Sequence, residues 1–178
     1  MSTKQMLLSG FGGQGILFAG KFLAYKGLTD GKQVSWLPSY GPEMRGGTAS
    51  CSVIISDDAV GSPIISNPDI LVAMNLPSLD KFENSVVSGG IILADSTLIE
   101  RKVLRDDVTV YYIPATRLAS ENGFPTLANM ILMGKLLEVL GGFNADDVKA
   151  TLSKVISAKR ADMLETNLKA LQLGADFE

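Results

Sequence analysis

Met6-Leu7-Leu8-Ser9-Gly10-Phe11-Gly12-Gly13-Gln14-Gly15 joins a short apolar run to a G-x-G-x-x-G turn, and a helical pattern opens directly after it. Residues 4–9 read as a strand. Residues 14–25 read as a helix, with Ile16, Ala19, Phe22 and Leu23 on its buried side. Glycines in such a turn let the backbone come close to a phosphate, and the free amides at a helix start attract an anion. This strand–turn–helix unit therefore sets the fold class and the first candidate site together.

The rest of the chain extends the same alternation. Strand patterns fall at residues 31–37, 48–56, 70–74, 91–94 and 108–113, with a further short one at 60–65 paired to the third through the Asp57-Asp58 turn. Ala49, Cys51, Val53 and Ile55 alternate inward on the third strand, whereas 70–74 is continuously apolar, as a strand buried on both faces must be. Residues 78–87 predict a short helix closed by Gly89-Gly90. After Pro114 the pattern turns helical. Residues 127–140 are apolar nearly all round, Asn144 caps the next helix, and 161–173 forms a last helix ended by Gly174. The expected architecture is α/β: a three-layer sandwich with a mostly parallel sheet and C-terminal helices. With no linker or internal repeat, residues 1–178 read as a single domain.

Composition removes whole classes of chemistry. The 178 residues are 46% hydrophobic, enough to build a substantial core. Net charge is −3 without a basic stripe, which disfavours a nucleic-acid partner. No apolar stretch approaches the roughly 18–20 residues needed to cross a bilayer, and the N-terminus lacks a signal-peptide pattern, so no membrane is implied and a cytoplasmic location is expected. Cys51 is the one cysteine and there is no histidine. That composition excludes an iron–sulfur cluster held by this chain alone, a typical zinc site and a histidine-based catalytic dyad.

The glycine turn then has three readings. A dinucleotide site needs an acid at the end of the second strand to hold the ribose hydroxyls. Asp30 has the right separation but precedes that strand, which ends Ser35-Trp36-Leu37-Pro38. A stand-alone NAD(P)- or FAD-binding enzyme is therefore the alternative, not the first choice. The second reading is tight strand–helix packing. The third is that the amides of Gly12, Gly13, Gln14 and Gly15 bind another phosphate, such as that of coenzyme A.

A second unusual segment, Pro38-Ser39-Tyr40-Gly41-Pro42-Glu43-Met44-Arg45-Gly46-Gly47, follows the second strand. It presents an aromatic, a carboxylate and a guanidinium at the edge where open α/β sheets place ligands. An internal Glu43–Arg45 brace and a contact for a partner or an anion are both compatible with it. Elsewhere, Cys51 and Trp36 read as core or partial core. Asp146-Asp147 reads as an acidic first helical turn. Asp95-Ser96-Thr97 reads as either a site at the ligand edge or the start of a loop.

The two loops, in this order and spacing, resemble the gamma subunit of the 2-oxoacid:ferredoxin oxidoreductases, closest to the 2-oxoglutarate and branched-chain 2-oxoacid types. The resemblance extends through Asn67-Pro68-Asp69 and Phe124-Pro125 and covers nearly the whole chain. It implies the fold of domain III of pyruvate:ferredoxin oxidoreductase. It also implies a complex that decarboxylates a 2-oxoacid, passes electrons to ferredoxin and forms acyl-coenzyme A. Thiamine diphosphate, Mg and 4Fe-4S clusters would lie in partner alpha, beta and ferredoxin-like delta subunits. The isolated chain would be inactive, with a homodimer as one state open to it. Carried onto matching positions, coenzyme A contact falls on Gly12, Gly13, Gln14 and Gly15 and on Tyr40, Glu43 and Arg45, the latter three near coenzyme A or a partner subunit. No catalytic or metal-binding residue is implied.

Overall fold

The computed structural model describes residues 2–39 and 48–178. A six-stranded sheet carries the strands β1 (Thr3–Phe11), β2 (Gln33–Ser39), β3 (Thr48–Ser56), β4 (Ile70–Ala73), β5 (Ile91–Asp95) and β6 (Thr109–Ile113) in the order β2-β3-β1-β4-β5-β6. The pairs β1–β4, β4–β5 and β5–β6 are parallel, while β3 pairs antiparallel with both β1 and β2. Thus β3 alone runs against the other strands.

Alternation along the strands sorts two cores onto opposite sheet faces. Met6, Leu8, Cys51, Val53, Ile70 and Val72 join the larger one. It is covered by α1 (Ile16–Thr29), α3 (Ala115–Glu121), α4 (Ala128–Val139), α5 (Ala145–Val155) and α6 (Asp162–Asp176). Leu7, Leu71, Ala73, Ile92 and Ala94 face the other way, onto α2 (Leu76–Phe82), Val86 and Ile99. Burial on both faces explains why β1, β4 and β5 are continuous apolar runs. α4 is apolar nearly all round because the sheet side and α6 enclose it; Met130, Ile131, Leu132 and Leu136 are fully buried.

Caps follow from side-chain chemistry. Asn144 Oδ1 accepts from Asp146 N (3.0 Å) and Asp147 N (3.1 Å) at the start of α5. Asn75 does the same for α2 through Ser78 N at 2.8 Å. The connection between β5 and β6 contains no α-helix. Instead, Arg101 reaches Asp80 and Glu83 on the α2 side, and Arg105 reaches Asp107 and the carbonyls of Glu83 and Val86.

Three local expectations fail. Residues 60–65 form no strand. Both edges of β3 are already taken by β1 and β2, and Pro63 lacks the amide a ladder needs. Gly174 does not end α6, which runs on to Asp176. Its missing side chain serves close packing on α4 instead. The helix after the glycine turn starts at Ile16 and extends to Thr29, where Gly31 at φ 74° reverses the chain into β2.

Candidate functional site

The glycine turn sits at the carboxyl end of β1, between antiparallel β3 and parallel β4. Gly13 (φ 95°) and Gly15 (φ 74°) adopt left-handed backbone, which gives this turn its shape. Gly10 answers a different demand: a Cβ there would lie 2.5 Å from Gln14 Oε1 and 3.0 Å from Met74 Cβ.

Gln14 holds the turn in place. Its Oε1 accepts from Phe11 N at 2.6 Å, and its Nε2 donates to Met74 O at 3.1 Å. The side chain is therefore committed to structure, and so is the backbone N–H, which donates to Phe11 O at 3.2 Å. Gly15 is N-cap of α1 and provides no side-chain cap. Its carbonyl accepts from Asn129 Nδ2 at 3.0 Å, tying the start of α1 to the first turn of α4. Neither Asn129 nor Met74 stood out in the sequence. The available signal for Asn129 is the one amide side chain in a mostly apolar helix.

Two recesses flank the turn. One of about 290 Å³ is lined by Phe11, Gly12, Gly13, Ile16, Leu17 and Ala49. The other, about 230 Å³, includes Gly13, Gln14, Met74, Leu98, Thr116 and Thr126. Gly12, Gly13, Gln14 and Gly15 thus lie together on an accessible edge. Tyr40, Glu43 and Arg45 fall outside the described residues. The strand residues bracketing their segment are Ser39, paired with Ser50, and Thr48, paired with Phe11 at the glycine turn.

The sheet order argues against a dinucleotide site. β3 lies between β1 and β2, placing β2 two strand spacings, roughly 10 Å, from β1. An acid at the end of β2 would be displaced from the glycine turn even if the sequence supplied one. Asp95, the acid at the end of β5, is fully buried. Its carboxylate accepts from Thr116 Oγ1 at 2.5 Å, Thr116 N at 3.2 Å and Thr97 N at 3.1 Å. It braces β5 against α3, the structural half of the reading given to residues 95–97.

Cys51 is likewise internal. The Trp36 indole N–H donates to its Sγ at 2.8 Å, and burial pushes the thiol pKa up to about 12. A thiol held in that form is a poor nucleophile. Among the described residues no group of three or more His, Cys, Asp or Glu side chains is gathered as a metal site. No helix among them is long and apolar enough to cross a membrane. The edge offers backbone amides and apolar contact, suited to holding an anionic group or a partner.

This α/β fold matches that of an oxidoreductase gamma subunit of known structure. That subunit, the keto/oxoacid ferredoxin oxidoreductase gamma subunit from Geobacter sulfurreducens PCA, matches with a TM-score of 0.82 at 28% identity, over 97% of this chain and 96% of that one. The 2-oxoglutarate:ferredoxin oxidoreductase from Magnetococcus marinus, solved with 2-oxoglutarate, coenzyme A and succinyl-CoA bound, matches with a TM-score of 0.86 at 25% identity, over 98% of this chain and 30% of that one. Residues 5–177 match the family model for pyruvate ferredoxin/flavodoxin oxidoreductase, and the chain belongs to that family.

Sequence relatives agree. Ketoisovalerate oxidoreductase subunit VorA of Methanothermobacter thermautotrophicus is 40% identical over 171 residues, which is 96% of this chain and 35% of that protein. The chain therefore spans about a third of that relative's length. The 2-oxoglutarate synthase subunit KorC of Methanocaldococcus jannaschii is 38% identical over 175 residues, covering 96% of this chain and 91% of the relative. The family resemblance drawn from the two loops is thereby established.

Proposed function

We propose that this chain is the gamma subunit of a multi-subunit 2-oxoacid:ferredoxin oxidoreductase and works as one domain, residues 1–178, in the cytoplasm. The observation that carries this reading is its near end-to-end match with separate subunits of that type, KorC and the Geobacter gamma subunit. Alpha, beta and ferredoxin-like delta subunits would supply thiamine diphosphate, Mg and 4Fe-4S clusters, with ferredoxin as electron acceptor. This chain would complete the assembly and shape the approach of coenzyme A.

The carboxyl edge supports that role physically. Of the four expected phosphate contacts, the amides of Gly12, Gly13 and Gly15 suit a phosphate at the start of α1, whereas the Gln14 N–H donates to Phe11 O and shapes the turn. Tyr40, Glu43 and Arg45, next in sequence to β2, add a guanidinium able to fork an anion. The coenzyme A bound in the Magnetococcus enzyme is consistent with such a ligand.

The test is affinity purification of the tagged chain from its native cells, followed by kinetics of the assembled enzyme. Thiamine- and cluster-bearing subunits are expected to co-purify, and Arg45→Ala should raise KM for coenzyme A while leaving KM for the 2-oxoacid unchanged. Recovery of the chain alone from cells oxidising 2-oxoacids normally without it would overturn the subunit assignment. An unchanged coenzyme A KM would overturn the role of Arg45.

A further inference from the structure

A cavity between the start of α1, the start of α4, the end of α5 and the first half of α6 continues the surface of the glycine turn. It measures about 490 Å³, more than either recess flanking the turn, and lies in the range of small-ligand sites, roughly 300–1,000 Å³. It shares Gly15 and Phe18 with the recess beside Ala49, and Thr126 with the recess beside Met74. A phosphate held at the glycine turn would stand at the edge of this cavity.

The wall is apolar and carries a single charge. Phe18, Val155, Ile156 and Met163 line it and are half-buried, so each keeps surface for an occupant to cover. Arg160 is the one charged residue of the lining, and no carboxylate shares the wall among the described residues. Arg160 is exposed, and its backbone N–H donates to Ser157 O at 2.8 Å in the turn that joins α5 to α6. Its guanidinium makes no ion pair among the described residues. A guanidinium placed this way meets a phosphate with paired N–H donors.

We infer, resting on the gamma-subunit reading above, that this cavity holds the nucleotide end of coenzyme A. The adenine lies against Phe18, Ile156 and Met163, the ribose phosphate meets Arg160, and the diphosphate runs towards the glycine turn. The two ends of coenzyme A make different demands. The pantetheine arm is uncharged and carries the thiol, which must reach the acyl group at the thiamine diphosphate of a partner subunit. That arm therefore points away from this chain. The nucleotide end takes no part in the chemistry, carries the phosphates and has a flat base able to stack on an aromatic ring. A wall of apolar side chains with one guanidinium answers that end and leaves the uncharged arm without a match for Arg160. Binding energy from such a non-reacting part serves to position the thiol.

The test uses the complex purified through the tagged chain, assayed with 2-oxoglutarate or 3-methyl-2-oxobutanoate and with methyl viologen as electron acceptor. Dephospho-coenzyme A lacks the ribose phosphate, and its KM should exceed that of coenzyme A by about tenfold or more in the wild type. Arg160→Gln should raise the KM of coenzyme A about tenfold, to the dephospho-coenzyme A value, with kcat and the KM values of dephospho-coenzyme A and the 2-oxoacid unchanged. Adenosine 3′,5′-bisphosphate should compete with coenzyme A in the wild type and about tenfold less well in Arg160→Gln. Lys159→Gln, at a residue outside the lining, should behave as wild type. Equal KM values for the two thiols in the wild type, or discrimination retained in Arg160→Gln, overturns this inference and leaves the subunit assignment standing. Recovery of the chain without partner subunits overturns the assignment and this inference with it.

Discussion

Gly134 on α4 and Gly174 on α6 bring two helix backbones into direct contact: a Cβ on Gly134 would strike the carbonyl oxygen of Leu171, and one on Gly174 that of Ile131. In both cases the obstructing atom is backbone and cannot rotate away. Gly134→Ala and Gly174→Ala should each destabilise the protein by about 1–3 kcal/mol or more, because the helices must separate and loosen the core around Ile131 and Leu171. Urea denaturation measures the loss. Stability equal to wild type in both variants would contradict this packing.

The pair also shows where sequence reasoning stops. Gly174 near the end of a helical pattern predicts a terminus, yet its role depends on a helix some forty positions earlier in the chain. Local signals were enough for β3, whose bounds at Thr48 and Ser56 match the alternation, and for the Asn144 cap. They were also enough for the glycine turn, since left-handed backbone is a local demand. They could not reveal that β3 inserts between β1 and β2, because strand order is a tertiary choice. Nor could they reveal that Gln14 reaches Met74 O or that Asn129 reaches Gly15 O, contacts 60 and 114 residues apart in sequence. The short α3 was lost in the general helical character after Pro114.

Gln14 provides a second test. Gln14→Leu removes an acceptor from Phe11 N and a donor to Met74 O, and should cost about 1–2 kcal/mol. Gln14→Glu keeps the acceptor for Phe11 N but sets a carboxylate against the Met74 carbonyl. It should therefore be at least as destabilising as Gln14→Leu, despite its closer shape. Thermal unfolding of the two variants beside wild type decides the order.

Asp95 looks like a site residue by position and acts as a brace by geometry. Replacing it with Asn turns one acceptor atom into a donor, facing hydrogens from Thr116 or Thr97. A loss of about 2–3 kcal/mol is expected. In an assembled enzyme the turnover per folded complex should be unchanged. A fall in turnover with stability preserved would reassign Asp95 to the chemistry.

Cys51 makes the pH dependence specific. Its thiol is raised to about 12 in the folded protein against 9.0 in the open chain. Between these values the folded state holds a proton that the unfolded state has released. The contribution to stability is complete below about 9 and is lost progressively as pH rises through 9 to 12. Alkylation of Cys51 by iodoacetamide at pH 8 should accordingly be slow in the native protein and fast in denaturant. Rapid native labelling would show the thiol to be accessible.

The carboxyl edge also exposes apolar side chains where a monomer has no use for them. Phe11 and Leu76 are 38% exposed and Leu98 is 41% exposed, all close in sequence or space to the ends of β1, β4 and β5. Leu98 lines the recess that contains Gly13 and Gln14. If partner subunits cover this edge, a charge at Leu98 would be desolvated on assembly without a counterion to meet it. Leu98→Asp should then leave the isolated chain within about 0.5 kcal/mol of wild type while sharply reducing recovery of the partner subunits in affinity purification. Leu104→Asp is the control: Leu104 is 80% exposed, in the β5–β6 connection, and does not line the recess beside Leu98. Loss of partners in both variants would place the contact elsewhere or make it diffuse. Retention in Leu98→Asp would show that this part of the edge stays open to solvent in the complex.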